Sequence, residues 1–198
     1  MNSDFKQKIT AVILAGGQGR RINNVDKGLI HVNNKPIIEL ILEAIETQCC
    51  NVLINANRNI DIYATYSYPV ISDTLSDFQG PLAGFYVALE QAKTPLIITL
   101  PCDAPRVPKD FVERMACSMR DCGADIAVAH DGERLQPVYA LIKTSLTESL
   151  HAFLNTGQRK IDHWYATQHI VEVDFSDVRG HFKNINTIEQ QQKIQREL

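Results

Sequence analysis

At 198 residues, with 44% hydrophobic and 22% charged side chains, the chain is long enough to bury a continuous core without metal or disulfide staples, and one folding unit is expected over its whole length. A formal net charge of -3 and a pI near 6.1 provide no global basic field, which argues against a nucleic-acid partner. A mean hydropathy of -0.16, with no apolar run approaching the ~20 residues of a membrane span, argues against membrane residence.

In chain order, the opening stretch MNSDFKQKIT lacks the apolar h-region of a signal peptide, so a cytoplasmic location is expected. Ile9 to Ala15 is a continuous apolar run ending at glycine, the pattern of a strand buried on both faces of a parallel sheet. After Lys35 and Pro36, the segment IIELILEAIETQ is apolar almost all round and predicts a helix with proline at its start. NVLINAN reads as a second strand and YPVISD as a short third. GPLAGFYVALEQA carries Leu82, Phe85, Ala88, Leu89 and Ala92 at helical spacing, which predicts a helix packing one face on a sheet. TPLIITLPCDAP is the clearest strand, with Asp103 at its end.

Beyond it, VPKDFVERMACSMRDCG sets Phe111, Val112, Met115 and Met119 on one stripe and stops at Gly123, the signature of a helix end. Strands are expected at ADIAVAH and PVYALI, then a helix in TSLTESLHAFLNTG whose stripe is Leu146, Leu150, Phe153 and Leu154. IVEVDF predicts one more strand, and Thr187 caps a last polar helix, TIEQQQKIQREL. Strands alternating with helices at this spacing imply an α/β fold, a three-layer αβα sandwich with a mostly parallel central sheet. Ligands of such sheets sit beyond the carboxyl ends of strands. That rule singles out Gly16 onward, Asn55, Asp73 and Asp103.

The stretch LAGGQGRRINNVDKGL, from Leu14 to Leu29, follows the first strand. Glycine permits backbone N–H groups to converge on an anion, and Gly16, Gly17 and Gly19 meet that need. Arg20, Arg21 and Lys27 add charges able to neutralise a triphosphate. On residue pattern alone, an anion cradle and a glycine-rich strand exit with solvated arginines fit equally well. A Walker A loop is excluded, because the order around Lys27 is Asp26, Lys27, Gly28. A dinucleotide fingerprint begun at Gly17 meets Ile22 where it needs glycine.

L-A-G-G-x-G-x-R followed by D-K-G-L resembles the nucleotidyltransferases of the molybdenum cofactor, most closely the guanylyltransferase family. Further matching blocks are NANR from Asn55, SDTLSDFQGPLAG from Ser72, PCDAP from Pro101, HDGER from His130, VDFSD from Val173 and NINT from Asn184. The resemblance covers the chain from Thr10 to the last helix, and the combination of blocks is far more specific than any one. One departure stands out: family members commonly read R-M-G-G where this chain reads Arg21-Ile22-Asn23-Asn24. Asparagine is among the few other residues that tolerate positive φ.

The resemblance implies a Rossmann-like nucleotidyltransferase fold whose N-terminal part binds GTP and whose C-terminal part binds molybdopterin. It implies that a phosphate oxygen of molybdopterin attacks the α-phosphorus of GTP, with pyrophosphate leaving and a guanine dinucleotide form of the cofactor resulting. A magnesium ion (Mg2+) is the implied cofactor, and Asp103 the implied metal ligand, since a carboxylate at a strand end is a hard oxygen donor. Arg20 and Lys27 are implied partners of the triphosphate. Leu14, Ala15, Gly16, Gly17 and Gly19 match the nucleotide-contacting segment, Asn55 and Asp73 further nucleotide positions, and Gly80 and Gly84 a helix start where a bulky side chain would block the nucleotide. Arg159, Asn184 and Asn186 match the pterin side. Transient contacts with cofactor-delivery and molybdoenzyme-maturation proteins follow from such a role, with no nucleic-acid or membrane partner.

Blander uses of the same residues remain open at this level. Asp73 suits an Asx turn, Asp103 a turn before Pro105, and HDGER a charged turn between strands. The five cysteines form no CxxC pair and fit reduced thiols, with Cys102 packed rather than ligating. Trp164 and Tyr165 fit a C-terminal helix packed on the sheet. Two rival functions are a cytidylyltransferase of the same cofactor, whose relatives read L-A-A-G and lack G-P-L-A-G, and a non-catalytic GTP-binding module, which needs no metal carboxylate.

Overall fold

A computed structural model describes residues 3–16, 26–74 and 80–197. In chain order it comprises α1 (Ser3–Lys6), β1 (Ile9–Leu14), a 3-10 turn at Lys27–Leu29, β2 (His31–Val32), β3 (Lys35–Pro36), α2 (Ile37–Ile45), β4 (Asn51–Asn55), α3 (Ile60–Ala64), β5 (Val70–Ile71) and α4 (Pro81–Gln91). There follow β6 (Leu96–Pro101), α5 (Phe111–Cys122), β7 (Ile126–His130), β8 (Leu135–Lys143), α6 (Thr147–Asn155), α7 (Ile161–Tyr165), β9 (Ile170–Asp174) and α8 (Ile188–Glu197).

Seven strands form one sheet in the order β5-β4-β1-β6-β8-β7-β9, and β2 with β3 forms a separate hairpin. The expected parallel character holds for β5/β4, β4/β1, β1/β6 and β7/β9. β8 runs antiparallel to both β6 and β7. The cause is local: only Asp131 to Arg134 separate β7 from β8, and a parallel return needs a crossover of a dozen residues or more.

Alternate residues of the central strands feed two cores, which makes the fold three layers. Ile9, Ala11 and Ile13 of β1 join Ile98 and Leu100 of β6 under α2 and α5, where Ile41, Ile45, Phe111 and Met115 are fully buried. Val12 and Ile97 face the other way, onto Leu82 and Phe85 of α4, Leu150 of α6 and Trp164 of α7. Each such side chain contributes roughly 1.5–3 kcal/mol on leaving water. The α5 stripe is buried as its spacing predicts, and the helix stops at Gly123 in the left-handed region, φ 65.

α4 departs from the one-faced helix expected. Leu82 through Leu89 are all buried, because the sheet covers one side and α6 the other, with Tyr86 stacked on His151 at 5.1 Å between ring centroids. Its start follows the expected chemistry: Gly80 at φ 74 turns the chain and Pro81 opens the first turn. α8 carries a capping box. Thr187 Oγ1 accepts from Gln190 N at 3.2 Å, and Gln190 Oε1 accepts from Asn186 N and Thr187 N.

Candidate active site

The carboxyl ends of β4, β1 and β6 are stitched together past the ladders themselves. Ala15 N donates to Asn55 O at 2.7 Å, and Cys102 N donates to Leu14 O at 3.2 Å. Leu14, Ala15, Asn55 and Asp103 therefore meet at one edge, where the parallel-sheet rule puts a ligand. Asn55 is buried at the end of β4, and its Nδ2 donates to Asp73 Oδ1 at 2.9 Å. Asn57 completes the unit. Its Nδ2 donates to Asp73 Oδ2 at 2.8 Å, while its Oδ1 accepts from Asp73 N at 2.9 Å. Both carboxylate oxygens of Asp73 are thus aimed by neutral amides, a stronger constraint than an Asx turn.

Glycine is required where backbone crowds these amides. A Cβ on Gly84 would lie 2.5 Å from Asn55 Oδ1 and 2.8 Å from Leu14 Cδ2, and one on Gly16 would lie 2.8 Å from Asn57 Nδ2. The expected reason for Gly84, room for a ligand, gains a second: Gly84 lets α4 press on the residue that aims Asp73.

At the end of β6, Asp103 Oδ2 accepts from Lys27 Nζ at 2.8 Å, with side-chain exposures of 13% and 24%. Lys27 Nζ also donates to Asn186 Oδ1 at 2.5 Å, and Ile185 N donates to Asp103 O at 2.7 Å. The C-terminal segment before α8 therefore straps the pair down. Asp103 Oδ1 is buried and has no hydrogen-bond partner among the described residues. A buried carboxylate oxygen left with open acceptor capacity is costly in a structural role and suits a cation ligand. Among the described residues, no group of three or more His, Cys, Asp or Glu side chains gathers to hold a metal. A metal here would rest on one carboxylate and on its ligand's oxygens. Burial pushes the Cys102 thiol up, with the Asp103 and Asp26 carboxylates nearby adding to the effect, so it stays a packed, protonated thiol.

Beyond Asn186 a cavity of about 510 Å³ opens, with Asn184 and Asn186 on its wall, Phe182 and Ile194 as its apolar patches, and Arg134, Arg179, Lys183 and Lys193 around it. HDGER is the charged turn between β7 and β8. Asp131 accepts from Glu133 N and Arg134 N, both at 2.9 Å, and from Gln136 Nε2 at 2.7 Å. Burial opposes the Asp131 charge, but these three donors outweigh it and hold its pKa below the ordinary 3.8. Lys183 and Lys193 carried no local signal, since single lysines in a polar tail are unremarkable until a cavity collects them.

Not every expected residue converges. Arg159 turns back on α6, its Nη1 donating to Leu154 O at 2.7 Å and to Gln158 O at 2.6 Å, and is not among the residues that line this cavity. Its part in a pterin site stays an expectation. Gly17, Gly19, Arg20, Asn23 and Asn24 lie outside the described residues. Asn57 is the residue sequence reasoning passed over, although it sits inside the NANR block.

An α/β sheet with glycine, asparagine, aspartate and lysine gathered at its carboxyl edge forms a ligand site where such sheets place one, and the family match makes that site a nucleotidyltransferase's. Residues 11–172 match the model of the MobA-like NTP transferase domain. The chain is 48% identical to the molybdenum cofactor guanylyltransferase of Shewanella woodyi and 49% identical to that of Shewanella putrefaciens, each over 94% of this chain and 95% of the relative. Its fold matches the crystal structure of molybdopterin-guanine dinucleotide biosynthesis protein A from Archaeoglobus fulgidus, with TM-score 0.78 at 21% identity over 95% of this chain and 97% of that one. The chain belongs to the MobA-like family of nucleotidyltransferases, with the molybdenum cofactor guanylyltransferases. No helix among the described residues is long and apolar enough to cross a membrane.

Proposed function

We propose that this chain transfers GMP from GTP to a phosphate oxygen of molybdopterin, releasing pyrophosphate and forming molybdopterin guanine dinucleotide. The observation that carries the reading is the Lys27–Asp103 pair, which touches the nucleotide edge through β6 and the cation-lined cavity through Asn186. A group transfer needs its two substrates to meet at one charged centre, and in-line phosphoryl chemistry rests on positioning and charge neutralisation.

The roles follow from the contacts. Leu14, Ala15 and Gly16 offer backbone groups to the base, and Asp73, aimed by Asn55 and Asn57, accepts from a ribose hydroxyl or a guanine N–H. Gly80 and Gly84 shape the start of α4 beside it. Gly17, Gly19 and Arg20, next in sequence after β1, suit the phosphates by residue type. Lys27 swings its ammonium from Asp103 to the triphosphate, and Asn186 keeps it within reach. Asp103 would hold a magnesium ion through its carboxylate, which fits an ion that takes one or two carboxylates and fills its shell with phosphate oxygens and water. When bound, the ion supplies neutralisation of the charge that builds on the leaving pyrophosphate.

The cavity takes the acceptor. Arg134, Lys183 and Lys193 match a phosphorylated ligand in charge, while Arg179 is paired with Glu133 on the same wall, and Asn184 and Asn186 offer amides to its pterin. The chain is thus one functional unit, nucleotide to one side of Lys27 and acceptor to the other, and its transient protein contacts would be with the suppliers and users of the cofactor. Turnover with GTP, Mg2+ and molybdopterin, read as pyrophosphate release, tests the reaction. Calorimetry in which CTP with Mg2+ bound more tightly than GTP would replace guanylyl with cytidylyl transfer. GTP binding without release would reduce the chain to a binding module.

A further inference from the structure

Lys27 lies on a short 3-10 turn, Lys27–Leu29, and a turn of that length has little structure of its own to hold a long side chain on target. The residue before it is Asp26, whose carboxylate is almost wholly buried at 4% exposure. Asp26 Oδ1 accepts from Tyr63 Oη at 2.7 Å and from Gly28 N at 3.3 Å, and Oδ2 accepts from Asn59 Nδ2 at 3.3 Å. Keeping a carboxylate in the interior is costly unless donors surround it, and here the donors come from the turn itself and from α3, more than thirty residues on.

The other side of the turn is equally constrained. A Cβ on Gly28 would meet Tyr63 Oη at 2.7 Å and Cys102 Cβ at 3.3 Å. The turn is therefore wedged between the Tyr63 phenol and the end of β6, next to Asp103. Tyr63 is fully buried and has no freedom to yield. α3 is shaped around this contact: its first turn follows Asn59, held at φ 51 in the left-handed region, which turns the Asn59 amide toward Asp26. Burial, with the hydrogen bond to the Asp26 carboxylate and its charge, pushes the Tyr63 phenol far above its ordinary range, so it remains a donor.

We propose that Asp26 and Tyr63 form a buried clamp that positions Lys27 for the nucleotide phosphates, Tyr63 acting as a positioning residue that touches no substrate. The proposal rests on the reading of Lys27 as the cation of the triphosphate. Asp26 fixes the backbone just before Lys27 and Tyr63 bounds it just after, which sets the point from which the Lys27 side chain reaches Asp103 Oδ2 and Asn186 Oδ1.

The test is a double-mutant cycle of Tyr63→Phe and Lys27→Ala in the full chain, read as kcat and KM for pyrophosphate release and as GTP affinity by calorimetry. Tyr63→Phe removes one oxygen, and is expected to lower kcat about tenfold while moving the KM for GTP less than about threefold. In the Lys27→Ala background the same substitution is expected to change neither kcat nor GTP affinity, because nothing is left to position. An equal loss in both backgrounds would mark Tyr63 as a general packing residue and overturn the clamp. So would wild-type kcat in Tyr63→Phe when Lys27→Ala is crippled, a result that leaves the proposed reaction standing. If Lys27→Ala itself retains full turnover and affinity, the role of Lys27 falls, and the clamp with it. Asp26→Asn, which keeps shape and removes charge, runs the same cycle should Tyr63→Phe not fold, with the same expected and overturning outcomes.

Discussion

The two sides of Lys27 are built from different materials. Toward β4, the nucleotide side uses short groups that lock one another, Asn55 buried and Asn57 and Asp73 half-buried, and glycines at Gly16 and Gly84 let backbone and helix close on them. Toward α8, the acceptor side uses long charged side chains, Arg134, Arg179, Lys183 and Lys193, arranged around an open cavity. The difference teaches how each side achieves selectivity. Buried amides hold a shape and an aimed carboxylate, and they punish a wrong base by leaving polar groups unpaired. Exposed cations attract phosphate at a distance and tolerate imprecise placement, but salt screens them.

Substitutions separate the two sides, beginning with the group between them. Asp103→Ala is expected to cut pyrophosphate release by about a thousandfold while GTP affinity, measured by calorimetry, falls less than about tenfold; unchanged release would remove Asp103 from the reaction. On the nucleotide side, Gly84→Ala drives a methyl into Asn55 and Leu14. With Asn55 displaced, the hydrogen bonds that an aimed Asp73 makes to the nucleotide are lost, at a cost of about 2 kcal/mol, so the Kd for GTP is expected to rise roughly 30-fold, insensitive to salt, with acceptor KM unaltered. Near-normal GTP binding would show that Asn55 does not aim the base-reading group.

On the acceptor side, the double substitution Lys183→Ala and Lys193→Ala is expected to raise acceptor KM about tenfold at low salt and to leave GTP affinity alone, the gap to wild type closing as salt is added. A salt-independent loss would mean that the lysines act by packing. The smallest effect concerns Asp131. A carboxyl whose folded pKa is depressed contributes stability that is present above its unfolded pKa and lost as pH falls through the folded one. The difference in melting temperature between wild type and Asp131→Asn is therefore expected to be constant near neutrality and to shrink as pH drops below the ordinary 3.8. A difference that persists in acid would place the Asp131 contribution in hydrogen bonds that do not need its charge.

The same contrast divides what could be read from the sequence. The Lys27 turn and Asp103 were legible because each is a local pattern: a glycine-rich exit from an apolar run, and a carboxylate closing the clearest strand. Asn55 and Asp73 were legible by strand-end position, while Asn57, two residues on, was not, because its partner Asp73 is sixteen residues away. Tyr63 carried no local signal, because its partner Asp26 is 37 residues away. Arg159 matched a family region and yet bonds the carbonyls of Leu154, in the preceding helix, and of Gln158 beside it, since such matching carries no direction for a side chain.

Periodicity and turn chemistry by themselves determined most elements, the layered α/β class and the edge of the sheet at which to look, because strand alternation, helical stripes and caps are short-range consequences of backbone geometry. Only the tertiary structure decided that β8 is inserted between β6 and β7 in the sheet, that α4 is buried nearly all round, and that Asn186 reaches Lys27 across 159 positions of sequence. Those outcomes depend on which faces meet after the chain closes long loops, and no local rule carries that information.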